Sequence, residues 1–394
     1  MNLQLAIDGG PKFRPTPFPT RQVISEAEKA AVLALFDEAI ANGEKVLGYN
    51  GPQEEAYGKE LAAFLGGGFA DGVNSGTNAV YLALRSLDLE PGGEVIVGPV
   101  TDPGGIMPVV ICGHTPVIPD SAPGSYNTSA EQIAARITDK TRAIVVAHIA
   151  GIPCEMDAIM KLGLPVVEDC AQAHGTLYRG QLVGTFGAAA AFSMMFGKQH
   201  VSGGQGGMVF TKDEKRYWRI RQYADRGKPF GLEKGRTNVV AALNCNMDEL
   251  HACIGRVSLK RLPAFIAARR RIANLVDKGL RERVQTVRLV TGPKDGESSH
   301  WFTFFHLATD RLRVDKARFV DALWAEGLIV GASYSNIAQN QEWYQKAGYR
   351  QWPLPNITAA DATHFRGFLT ETWTDRDAED FVGAVAKVER AYLK

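Results

Sequence analysis

The sequence predicts an α/β fold, and three observations carry that expectation. Short, near-continuous apolar runs recur through the first half of the chain, and helix-like stretches alternate with them. A length of 394 residues is enough to bury a large core and to divide into a main domain and a smaller one. Strands buried on both faces read as continuous apolar runs, and their alternation with helices implies a mainly parallel sheet covered on each side.

The elements follow in order. Ser25 and Glu28 form a capping box, an Ala/Leu-rich run continues to Asn42, and Gly43 stops it, so the first helix is expected over 26–42. A second helix opens near Thr77, with Ala79, Leu82, Ala83 and Leu87 on helical spacing. Segments 94–98, 143–149, 165–168, 188–193 and 207–211 are the expected buried strands. Leu250, Ile254, Val257 and Leu262 share one stripe of a helix over 247–262, Pro263 marks a break, and an Arg-rich helix is expected over 264–280. A strand over 301–307 and a last helix over 375–392 suggest a smaller α+β unit. The expected division is 1–260, a large domain with an amino-terminal arm, and 261–394, a small carboxy-terminal domain.

Composition narrows the function. Apolar residues make up 45% and charged residues 22%, the balance of an ordinary globular chain. Forty-four Lys and Arg face 43 Asp and Glu, so neither nucleic acid nor a basic partner is implied, while a small anionic substrate remains compatible. The first residues lack the pattern of a secretory signal and no stretch is long enough to span a membrane, which makes the cytoplasm the expected location. Cysteines 112, 154, 170, 245 and 253 are odd in number and contain no C-x-x-C pair, and the eight histidines are scattered without H-E-x-x-H. Neither a disulfide framework nor a metal site is expected, and no repeat or low-complexity tract is visible.

Four local features bear on chemistry. Ser75–Gly76–Thr77 at a helix start reads either as an ordinary cap or as a phosphate cradle built on unpaired N–H groups. The strand ending in Glu168–Asp169 puts an acid at the carboxyl edge of a parallel sheet, where α/β proteins bind ligands. Asp169 is there a helix cap, a metal-binding acid, or a partner for a cofactor's pyridine nitrogen. Lys198 stands just beyond an Ala-rich strand, with Ser193 five residues earlier as a phosphate ligand. It is either a surface lysine or a buried amine bonded to a carbonyl cofactor, able afterwards to serve as acid and base. The Gly-rich run 202–207 lacks the pattern of a nucleotide loop and matters only by its nearness to Lys198.

Taken together, these features occur in the order and spacing of a pyridoxal-phosphate enzyme. The stretches 74–79, 91–96, 138–143, 148–151, 156–157, 168–175 and 192–207 resemble the DegT/DnrJ/StrS family of sugar aminotransferases, of the aspartate-aminotransferase fold type I. Gly9–Gly10–Pro11 and the run 48–52 are similar to the family's amino-terminal arm. The resemblance implies pyridoxal 5′-phosphate as cofactor, with Lys198 as the lysine that carries it covalently and Asp169 as the acid on its pyridine nitrogen. Gln172 lies against its ring, and Gly76, Thr77 and Ser193 hold its phosphate. It implies further that Asn244 reaches the phosphate of a neighbouring subunit, hence a homodimer with shared sites.

The same resemblance implies transfer of an amino group from glutamate or glutamine to a keto or aldehyde sugar. The acceptor is a nucleotide ketosugar, an oxidised octulosonate of lipopolysaccharide (the 8-amino-Kdo branch) or a cyclitol ketone. The alternatives are a deoxysugar dehydratase, in which histidine replaces the lysine, and a regulatory protein that binds the cofactor without turnover. Departures from the family pattern are Asp102, where an aromatic commonly covers the ring, Gln205 in place of Glu, Asn246 in place of Arg, and Gln199–His200 after the lysine. Arg226 and Lys228 read either as a clamp for a substrate carboxylate or as a solvated basic turn.

Overall fold

The computed structural model describes residues 4–394, and for 44 and 45 the backbone alone. Seven strands form the main sheet: β1 (Phe69–Val73), β2 (Glu94–Val97), β3 (Thr115–Val117), β4 (Thr141–Ala147), β5 (Val166–Asp169), β6 (Ala189–Ser193) and β7 (Gly207–Thr211). Their spatial order is β1-β7-β6-β5-β4-β2-β3. Only β7 runs against its neighbours β1 and β6; β2 through β6 pair in parallel. Every residue of β5, β6 and β7 is buried, which is why these segments read as unbroken apolar runs rather than alternating ones.

Helices flank this sheet. Ser25 and Glu28 close the expected capping box on α1 (Glu26–Asn42), and α2 (Pro52–Phe64) begins with Pro at its first position. In α3 (Gly76–Arg85), Ser75 caps the amino end and residues 79–84 are all buried. Asp102 caps α4 (Pro103–Ile111), a helix the sequence did not announce because Gly104, Gly105 and Pro108 are poor helix formers. Next comes α5 (Glu214–Ala224).

The expected break at Pro263 does not occur: α6 (Glu249–Arg283) is one helix of 35 residues with Pro263 inside it. Proline there removes one N–H bond, but Leu259, Leu262 and Ile266 on either side are buried in the core beneath the sheet, and their packing outweighs the lost bond. Beyond residue 270 the same helix buries Ile272, Val276 and Leu280 in a second core. It runs unbroken through residue 260.

That second core lies under a four-stranded antiparallel sheet of order β8-β9-β11-β10, made of β8 (Val287–Leu289), β9 (Thr303–Leu307), β10 (Val330–Gly331) and β11 (His364–Gly367). The closing helix α7 (Asp375–Tyr392) packs on it with Phe381, Val382, Val385 and Val388, and its bounds are those the sequence predicts. Phe302, Phe304, Tyr334, Tyr344 and Ile357 of this second unit share a core with strands β2, β4 and β5 of the first. Among the described residues no helix is long and apolar enough to cross a membrane.

Candidate active site

The carboxyl ends of five strands of the main sheet open on one side. β1 leads to Ser75 and α3, β2 to Thr101 and α4, β4 to His148, β5 ends in Asp169 and β6 in Ser193. A cavity of about 240 Å³ lies there, lined by Gly76, Thr77, Asp169, Gln172, Ser193 and Lys198 together with Thr101, Asp102, Gly105, Met195 and Gln205. The edge where parallel strands end and helices begin is the usual ligand position in α/β sheets. Of the seven sequence-predicted site residues, six converge on this cavity. The seventh, Asn244, is exposed and outside it, its amide oxygen accepting from the side chain of Asn246 at 2.7 Å.

Each side chain has a local reason for its place. Ser75 turns its hydroxyl back to accept from Asn78 N at 3.1 Å, which leaves the first-turn N–H groups of Gly76 and Thr77 to an external acceptor. A Cβ on Gly76 would stand 2.5 Å from that of Ser193, so only glycine lets the start of α3 approach β6 this closely. At Gly105 a Cβ would come within 2.9 Å of Asp169 Oδ2. The start of α4 therefore meets the acid with bare backbone. Asp102 is committed to its helix, accepting from Gly104 N at 3.0 Å.

Successive residues of β5 point to opposite faces, and this separates Glu168 from Asp169. Asp169 faces the cavity and accepts from Ala171 N at 3.0 Å. Glu168 faces away and accepts from the backbone of Gly184, Phe186 and Gly187 at 2.7–2.8 Å, which ties down the 184–187 loop. With His148 and Cys170 it forms a buried group whose ligand atoms lie within 4.8 Å of one another. His148 Nδ1 accepts from Cys154 N at 3.0 Å, so the ring's other nitrogen donates to Glu168 at 3.2 Å and neither ring nitrogen has a lone pair left for a cation.

Gln172 is held at both ends. Its oxygen accepts from Ala150 N at 2.8 Å, and its amide donates to Tyr334 Oη at 2.9 Å. Lys198 is 7% exposed, and its Nζ lies 3.9 Å from the centroid of the Trp301 ring. Burial pushes the amine down to about 8, against the opposing pull of Asp169 and Asp102. Burial raises the Asp169 carboxyl, while the Ala171 N–H and Lys198 hold it back. His174, driven by burial far below the usual histidine range, bonds the Ser193 carbonyl through Nε2 at 2.9 Å and so fixes the end of β6.

Arg226 and Lys228 are already paired. Both contact the buried carboxylate of Asp225, at 2.8 and 2.6 Å, and both bond the Tyr49 hydroxyl, outside the cavity. Trp301 and Tyr334 are the residues that sequence reasoning missed. Each comes from the second unit, more than a hundred residues from Lys198 or Gln172, and no motif announces either.

The model of the DegT/DnrJ/EryC1/StrS aminotransferase family matches residues 27–386. GDP-perosamine synthase of Escherichia coli O157:H7 is 36% identical over 221 residues, which are 55% of this chain and 60% of that protein. The dTDP-3-amino-3,4,6-trideoxy-alpha-D-glucose transaminase of Streptomyces venezuelae is 33% identical over 312 residues, 78% of this chain and 80% of its own length. Among solved structures, an aminotransferase from Psychrobacter cryohalolentis superposes with a TM-score of 0.84 at 29% identity, over 94% of this chain and 97% of that one.

Proposed function

The chain belongs to the DegT/DnrJ/EryC1/StrS aminotransferase family, and from that premise we propose that it moves an amino group from glutamate or glutamine to the carbonyl of a sugar. The cofactor is pyridoxal 5′-phosphate. The observation that carries the proposal is the meeting of Lys198 and Asp169, two buried ionisable groups of opposite sign, in one cavity beside a helix start.

The residues fit the cofactor. Gly76 and Gly105 let the starts of α3 and α4 close on Ser193 and Asp169 at the edge of the cavity, and the first turn of α3 offers N–H groups to a phosphate. Bound there, pyridoxal 5′-phosphate supplies a carbonyl that carries amino groups and a ring that accepts electrons. Gly76, Thr77 and Ser193 would hold the phosphate. Asp169 would keep a proton on the pyridine nitrogen, and Gln172, fixed by Ala150 and Tyr334, would lie against the ring. Lys198 Nζ would hold the carbonyl carbon and, once released, take up and return the proton that amino transfer requires. An amine titrating near neutrality suits both directions of that proton movement.

The 1–260 unit would then bind the cofactor and the 261–394 unit cover it through Trp301 and Tyr334. Exposed Asn244, outside this chain's own cavity, would serve the phosphate of a second copy in a homodimer. We propose the cytoplasm as the place of the reaction. The acceptor is a nucleotide ketosugar, an oxidised octulosonate or a cyclitol ketone; the names of the relatives favour the first. Dehydration of a deoxysugar is disfavoured by the lysine itself.

Borohydride reduction of the holoenzyme followed by peptide mass analysis tests the covalent link: a pyridoxyl label on the peptide containing Lys198 is expected, and its absence ends the proposal. Incubation with glutamate and a panel of the three acceptor classes, read by product mass, then identifies the substrate. Failure of glutamate and of glutamine alike to convert the cofactor to its amine form would leave only a binding protein.

A further inference from the structure

The turn that bears Lys198 is gripped from outside the main sheet. Lys198 N bonds Met195 O at 2.9 Å, and the carbonyls on either side of that N–H are both taken by one guanidinium: Arg21, from the amino-terminal arm, donates to Gly197 O at 2.9 Å and to Lys198 O at 2.8 Å. The Trp301 indole N–H donates to the same Gly197 oxygen at 2.9 Å, while the face of that indole lies 3.9 Å under Lys198 Nζ.

Both grips are braced by one carboxylate. Glu371 bonds Arg21 Nε at 2.9 Å and, through its other oxygen, Arg269 at 2.6 and 2.7 Å. Arg269, only 1% exposed, donates in turn to the carbonyls of His300 and Trp301 at 2.6 and 2.9 Å. Burial pushes the Glu371 carboxyl up, yet the two arginines hold it below the ordinary range, so the brace is a fixed anion between two cations. Such a chain of charge-assisted bonds in a buried setting locks geometry more firmly than its links would singly.

We infer that Trp301 and Arg21 are positioning residues for Lys198: the indole face receives the lysine's ammonium whenever the amine is free, and Arg21 holds the turn at the height that makes this contact. The inference rests on the reading of Lys198 as the reacting amine. A protonated amine over an indole is stabilised by the negative face of the ring, and the effect grows when the pair is shielded from water. The amine therefore has two opposite influences to balance. Burial favours its neutral form, while the indole, Asp169 on β5 and Asp102 at the start of α4 favour the charged one; buried His174 also interacts with the amine, and the Arg21 guanidinium stands at the lysine's own carbonyl. Without the indole, the free amine would lose its proton at a lower pH and would no longer be parked beside the cavity.

The test reads the amine itself rather than turnover. The full chain, freed of cofactor and labelled in its lysine side chains, is titrated by NMR, with Lys198→Arg identifying the resonance. Replacing all six tryptophans by mono-, di- and trifluorinated analogues keeps shape while draining the negative face of the ring. The Lys198 midpoint is expected to fall in steps, and Trp301→Leu should lower it by about one pH unit. Arg21→Lys, which keeps the charge but not the fork, should lower it as well, by roughly half as much. A midpoint indifferent to fluorination, or one that Arg21→Lys leaves in place, overturns the inference. Failure of the reading beneath it is separately visible, as a missing pyridoxyl label on residue 198.

Discussion

The side-chain amide of Gln172 donates to the Tyr334 hydroxyl at 2.9 Å, joining the loop after β5 to a segment of the second unit 162 residues away. Since its oxygen is already taken by Ala150 N, Gln172 has one orientation, and the cavity wall it forms depends on both units.

Tyr334→Phe removes the acceptor and leaves a buried amide hydrogen without a partner. A loss of about 1–3 kcal/mol in urea denaturation is expected, together with weaker cofactor binding in an absorbance titration. Gln172→Leu in the same background should cost less than it does alone, because the unpaired amide hydrogen leaves with it, while the loss of the acceptor for Ala150 N is common to both.

Asp169→Asn keeps the shape but cannot hold a proton on the pyridine nitrogen by charge. The rate of single-turnover conversion with glutamate should fall at least about a hundredfold, while the phosphate contacts keep the cofactor bound. Equal rates for the two proteins would remove Asp169 from its role.

The Lys198 amine has a pH signature in stability. Its ordinary value is 10.5 and burial pushes it down to about 8. Between those limits the unfolded chain binds more protons than the folded one, so folding gains stability as pH rises from 8 to 10.5. At pH 7 the buried charge costs up to about 3 kcal/mol. In cofactor-free protein Lys198→Met should therefore be the more stable form at pH 7, with the gap narrowing towards pH 10.

Glu54 gives the opposite slope. Burial, with Asp71 alongside, pushes its carboxyl from 4.5 up to about 8, although Arg221 pulls the other way. The folded state then holds a proton that the unfolded chain releases, and stability falls as pH climbs from 4.5 to 8. Glu54→Gln, which keeps an acceptor for Gly72 N, should flatten that fall in denaturant melts and be the more stable form at pH 8.

Much of the site was legible because its residues sit close to chain signals with local physics. Gly76 and Thr77 follow a capping serine, Asp169 and Ser193 end buried strands, and Lys198 follows the second of them by five residues. The α4 helix was hidden because Gly104, Gly105 and Pro108 speak against helix locally, and the Asp102 cap prevails only with Ile106 and Val109 buried in the main core. At Pro263 the local penalty was real, yet it lost to packing on both sides. The division of Glu168 from Asp169 was open to sequence only through strand alternation, since both are acids at one strand end.

Periodicity, caps and strand ends are properties of neighbouring residues, so the sequence by itself determined the alternation of strands and helices, the bounds of the first and last helices, and the lysine, acid and helix start around the cavity. What Trp301, Tyr334 and Arg21 do could not be read that way. Their partners lie more than a hundred residues distant along the chain, and only folding brings an indole, a phenol and a guanidinium to the carbonyls, the side-chain amide and the amine they meet. A contact of that kind has no period and no spacing, and tertiary packing alone decided it.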